Sequence, residues 1–192
     1  VTNQGKGMTL AEVKEIVQEG ALAEVVDDLS EDFPQIVRYC LRKYNLYAPR
    51  IVREEITSWT GLGTTRQYSP PYPWFVTMSH EGAIADKYIW QAQPMYVYNR
   101  QIGNLKVNTI GAFQIRSVYK KTLDDITDEE DLFFDLVTAR CLMASGYRRK
   151  AFNITELPFT NDGGERLSDG QTLWNATIEV LQDNIDMSIF VH

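Results

Sequence analysis

The apolar residues of this chain change period twice, and that change limits the folds open to it more than any single motif does. From Thr9 to Tyr44 they recur every three or four residues. From Arg50 to Tyr119 they alternate, or cluster among β-branched and aromatic side chains, and from Thr127 to Leu181 the helical period returns. Blocks of helix, strand and helix that do not interleave predict an α+β fold. The expected architecture is a set of N-terminal helices, a central antiparallel β layer with long loops, and two C-terminal helices in one domain. A length of 192 residues, 44% of them hydrophobic, suffices for one substantial core.

The blocks divide further. Residues 1–8 read as a mobile N-terminal arm, 9–46 as helical, 50–120 as strand-rich, 127–185 as helix-loop-helix and 186–192 as a C-terminal tail. Thr9 with Glu12 makes a capping box ahead of Leu10, Val13, Ile16 and Val17, so a first helix is predicted over 9–18, ending around Gly20. A second helix over 32–45 follows the acidic turn Ser30-Glu31-Asp32 and buries Ile36, Val37, Cys40, Leu41 and Tyr44. Its Arg38, Arg42 and Lys43 face outward or complement the C-terminal dipole.

The firmer strands are 94–98, 105–107 and 112–119. A turn over 99–104 contains Gly103, and Phe113, Ile115 and Ser117 alternate with Gln114, Arg116 and Val118 as in a half-buried strand. Thr127 with Glu130 then reads as the capping box of a core helix that stops at Gly146. Ser168 with Gln171 reads as the cap of the final helix, after a loop through Pro158, Asp162, Gly163 and Gly164.

The inventory for chemistry is thin. A hydrolytic triad would rest on His80, because the other histidine is His192 at the end of the sequence. Carboxylates gather at Asp27-Asp28, at Glu31-Asp32 and from Asp124 to Asp131; each gathering coincides with a predicted helix N-terminus, where the dipole favours negative charge. Asn161 to Glu165 lacks the twelve-residue calcium pattern and reads as a turn. Neither a phosphate-binding glycine loop nor a dinucleotide fingerprint is present. Cys40 and Cys141 fall in apolar stretches without zinc spacing and read as buried thiols. No apolar run approaches the roughly 18 residues that span a bilayer, so a soluble chain folded in the cytoplasm is expected. Neither an enzyme nor a cofactor is expected.

Two features point to contacts with partners. Arg148, Arg149 and Lys150 form the one concentrated basic group and are read either as a helix C-terminal cap or as a contact with an acidic partner or passing DNA. Tyr68, Tyr72, Trp74 and Trp90 put large rings into the strand-rich block, as core or as a subunit interface. With 26 acidic against 19 basic residues, a net charge of -7 disfavours a chain whose main task is to grip phosphates.

The C-terminal block also carries a family resemblance. It consists of the helix ending Ala139-Arg140-Cys141-Leu142-Met143-Ala144-Ser145-Gly146-Tyr147-Arg148-Arg149-Lys150, a Leu157-Pro158 step, Asp162-Gly163, Leu167 and an amphipathic helix. That order resembles the neck, or head-completion, proteins of contractile-tailed bacteriophages. The helices at Thr9 to Val17 and Asp32 to Tyr44, and the strand pair Pro94 to Tyr98 and Leu105 to Val107, look like the opening and middle of the same family.

The resemblance implies a virion protein that forms a homo-oligomeric, dodecameric ring between the portal protein and a tail terminator or tail-completion protein. Such a ring completes the head and conducts DNA through its lumen with only transient, non-specific contact. It would be assembled in the host cytoplasm, with no membrane step and no cofactor. Two other readings stand beside it: another tail, collar or baseplate subunit, and a metal-dependent hydrolase using the acidic clusters or His80.

Overall fold

The capping box at the N-terminus forms as the sequence predicts. Thr9 and Glu12 exchange side-chain and backbone hydrogen bonds, with Thr9 N–H donating to Glu12 Oε2 at 2.7 Å, and helix α1 runs over Leu10–Val17. The computed structural model describes residues 7–19, 25–26, 29–57, 63–79, 95–108, 112–151 and 163–185. Among them are three further helices, α2 (Phe33–Tyr44), α3 (Asp131–Ala151) and α4 (Gly163–Asp183), and six strands. The chain is α+β. Among the described residues no helix is long and apolar enough to cross a membrane.

The contacts gather into two compact units. One takes the described residues up to Ala48 and those from Lys121 to Ile185; the other takes those from Pro49 to Lys120.

The first unit is helical. Helices α2 and α3 run antiparallel: Asp32 pairs with Arg148 at one end, Cys40 Sγ–H donates to the Leu136 carbonyl at 3.3 Å in the middle, and Tyr44 meets Phe133 edge to face at the other. Phe133, Leu136 and Val137 are fully buried beside Val13, Val26, Leu29 and Val37, which forms one apolar core across α1, α2 and α3. Val25, Val26 and Leu29 belong to that core. Outside the helices, Asn45 stitches the end of α2 to the chain entering α3. Its Nδ2 donates to the carbonyls of Leu41 (2.8 Å) and Lys121 (3.0 Å), and its Oδ1 accepts the Lys121 N–H at 2.5 Å.

Two expectations about the C-terminal helices are corrected. The core helix does not open with a Thr127/Glu130 capping box or stop at Gly146. It opens at Asp131 and continues to Ala151, while the Glu130 carboxylate accepts a 2.6 Å hydrogen bond from Lys121 Nζ. The capping box of this region lies upstream, where Thr122 and Asp125 enclose a short 3-10 turn. The final helix does not open at Ser168 either. It opens at Gly163, which leaves Ser168 and Gln171 exposed within it.

The run of α3 through Gly146 and the early start of α4 share one cause, which is helix-to-helix contact. A Cβ at Gly146 would fall 2.8 Å from the Gly163 carbonyl oxygen, and one at Gly170 would fall 2.8 Å from the Ala139 carbonyl oxygen. The glycines therefore let α3 and α4 close as an antiparallel hairpin backbone to backbone, and burial outweighs the local preference of glycine to end a helix.

Among the described residues the second unit holds two antiparallel three-stranded sheets. Strands β1 (Arg50–Ile56), β6 (Phe113–Tyr119) and β3 (Phe75–Ser79) are ordered β1-β6-β3; β2 (Thr64–Gln67), β5 (Asn104–Val107) and β4 (Tyr96–Asn99) are ordered β2-β5-β4. The β4–β5 turn pairs Asn99 with Asn104 and holds Gly103 at φ +63°, the left-handed conformation that the sequence signalled.

One apolar cluster joins Val76, Met78, Phe113 and Ile115 of the first sheet with Leu105 and Val107 of the second. Strand β6 is more buried than its alternation predicts, since Ile115, Arg116, Ser117 and Val118 are all buried. It is the middle strand of its sheet, and Arg116 Nε donates to Gln114 Oε1 at 2.7 Å.

Candidate functional site

Two clefts of opposite charge lie among the described residues of the helical unit. The first, of about 550 Å³, lies between α2 and α3 and is lined by Asp32, Gln35, Arg38, Tyr39, Arg42 and Arg140, among others. Arg38 and Arg42 stand one turn apart on α2 and are exposed. Among the described residues no carboxylate pairs with either. Arg140 reaches in from α3, its guanidinium 5.1 Å from the centre of the Tyr39 ring, and Tyr39 in turn stacks on Trp174 of α4 at 5.9 Å. The stack of Trp174, Tyr39 and Arg140 holds one cation in place by packing and cation–π attraction. The acid of the cleft, Asp32, is already taken by Arg148. Three guanidiniums around an open cleft suit carboxylates or other oxyanions, which they bind in a planar, two-pronged geometry.

The second cleft, of about 410 Å³, is lined by Met8, Glu12, Glu15, Ile16, Glu19, Thr127 and Asp128. Glu12 is engaged in the capping box, whereas Glu15, Glu19 and Asp128 are exposed.

The basic group named from the sequence is divided by the fold. Arg148, Arg149 and Lys150 form the last turn of α3 rather than a segment after it, with Arg148 tied to Asp32, Arg149 partly buried and Lys150 exposed. The cations that do converge are Arg38, Arg42 and Arg140. Their spacing along α2 was visible in the sequence, but their meeting with Arg140 depends on how α2 packs against α3.

The aromatic set lies largely within the β unit. Tyr68 meets Tyr98 edge to face at 5.9 Å and shares a 2.9 Å hydrogen bond with Ser117 Oγ, and Tyr98 donates to the Pro73 carbonyl at 2.7 Å. Tyr72 packs on Gly103, and Lys120 Nζ sits 4.7 Å from the centre of the Trp74 ring. Burial and the neighbouring Tyr68 raise the pKa of Tyr98 above the ordinary phenol value. Tyr68, Tyr72 and Trp74 are thus half-buried and partnered inside their own unit. Trp90 lies outside the described residues.

Three acids of the run 124–131 have structural work: Asp125 closes the 3-10 turn, Glu130 holds Lys121, and Asp131 opens α3. Among the described residues no group of three or more His, Cys, Asp or Glu side chains is arranged to hold a metal ion. His80, His192 and the Asp27-Asp28 pair lie outside the described residues.

Both thiols are fully buried. Burial raises the pKa of Cys141 to about 12 and that of Cys40 further, with Cys141 as the second cause for Cys40. A thiol held in its protonated form is a poor nucleophile.

No protein-family model matches this chain, and no curated protein matches its sequence.

Proposed function

We propose that this chain is a structural virion protein of a tailed bacteriophage, a subunit of the neck or connector ring between portal and tail, and not an enzyme. The observation that carries the reading is the C-terminal block. Within the segment whose order of residues resembles head-completion proteins, Phe133 to Leu181, the described residues form α3 and α4, packed tightly antiparallel with Gly146 and Gly170 at the seam. A closely packed helix pair of this kind suits a subunit that is repeated around a ring, because its surface presents the same geometry in every copy. The net charge of -7 suits a lumen through which DNA slides without adhering.

The reading places the portal protein on one side of the ring and a tail terminator or completion protein on the other. Its test is direct. Electron microscopy of the purified chain, alone and mixed with portal protein, should show closed rings, and dodecamers on the portal. A chain that binds no portal and is located in the tail or baseplate of the virion would move it to another structural position; turnover of a phosphoester or peptide substrate on metal addition would replace the reading altogether.

A further inference from the structure

We infer that the arginine cleft between α2 and α3 is the socket of a head-to-tail contact between copies of this chain, filled by the acidic face of α1 from the next copy. The inference deepens the ring reading and rests on it.

The two surfaces match in charge. Arg38 and Arg42 are one helical turn apart on α2, and Glu15 on α1 and Glu19 just past its end line the acidic cleft. The Arg38 and Arg42 pair presents like charges on one face of α2, an arrangement that is mildly repulsive within the helix and is relieved by acids of an opposed surface. Arg140, held over Tyr39, supplies a third cation to the socket, and exposed Asp128 beside Glu19 supplies a third acid to the plug.

The surfaces also lie apart on the same unit. Asp128 precedes the start of α3, whereas Arg140 and Ala144 line the socket further along it. From Asp131 to Arg140 the helix axis advances about 14 Å at ~1.5 Å per residue. One copy can therefore receive a neighbour at the socket and offer its own α1 to another. A contact between two different patches is heterologous, and it closes into a ring when the rotation per step divides a full turn. A nucleic acid is the weaker occupant, because the acids of α1 and the overall negative charge oppose a polyanion while favouring the complementary patch of a second copy.

The test uses charge reversal in the full chain: R38E/R42E for the socket and E15R/E19R for the plug, with circular dichroism to check that each variant folds as the wild type does. Mass is measured by sedimentation at about 50 mM and about 500 mM salt, since exposed pairs weaken as screening grows. The wild type should form an oligomer that dissociates at the higher salt. Each variant alone should be monomeric, and an equimolar mixture should regain the wild-type mass, because each reversed patch then meets its complement.

Variants that assemble as the wild type does, or a mixture that stays monomeric, would overturn the contact while leaving a ring built through another surface. An open chain of growing mass, sensitive to both reversals and rescued by mixing, would uphold the contact and overturn the ring. A wild type that is monomeric at low salt overturns the contact outright.

Discussion

Gly146 and Gly170 act against their usual local role, and that makes them informative at the scale of single residues. In an exposed helix, replacing glycine with alanine gains about 1 kcal/mol. Here the added methyl at either position would press on backbone atoms of the other helix, so G146A and G170A are each expected to destabilise the chain by about 1 to 3 kcal/mol, read as a lower urea midpoint. A stabilised variant would mean that the seam can open without cost.

The thiols make a second prediction. Both pKa values are raised by burial, to about 12 for Cys141. Between the unfolded thiol value near 8.5 and these folded values, the unfolded chain releases protons that the folded chain keeps. Stability is thus fully present below about pH 8.5 and falls as pH rises, by about 1.4 kcal/mol per pH unit for each thiol. Urea midpoints measured between pH 7.5 and pH 9.5 should fall in the wild type and stay nearly level in C40A/C141A.

At the scale of elements, the approach to α3 depends on a small polar cluster. Lys121 Nζ donates to Glu130 Oε1 at 2.6 Å with both side chains only 16% exposed, and the Lys121 ammonium sits 5.2 Å from the centre of the Tyr44 ring. Burial first, and the Glu130 carboxylate second, raise the pKa of Tyr44 above the ordinary phenol value. Removing the cation strands a carboxylate in a site of limited solvation. K121M is expected to cost about 2 to 3 kcal/mol, and K121M/E130Q less than K121M, because a neutral amide tolerates burial better than an unpaired charge. Equal losses in the single and double variants would assign the effect to lost packing of the lysine stem. The same cluster explains why a capping box was expected from Thr127 and Glu130: the residue types were right for a cap, but Lys121, distant by several residues and brought near by the 3-10 turn, competes successfully for the carboxylate.

At the scale of the whole molecule, the chain places a β unit between two stretches that complete one helical core, with the opposed clefts on the helical unit. The α+β class, the Thr9/Glu12 cap, helix α2, the strand pair around Gly103 and the buried thiols were all legible in the sequence. Each depends on spacing within a few residues, through helical period, strand alternation, or a side chain reaching its own turn. What only the tertiary structure decided has the opposite origin. The run of α3 through Gly146, the early start of α4 and the burial of both faces of β6 follow from what a distant segment places against them. The meeting of Arg38 and Arg42 with Arg140 arises in the same way. Local hydrogen bonding and periodicity are written along the chain, whereas close packing between elements is a property of pairs of surfaces, and no single stretch of sequence states which surface it will meet.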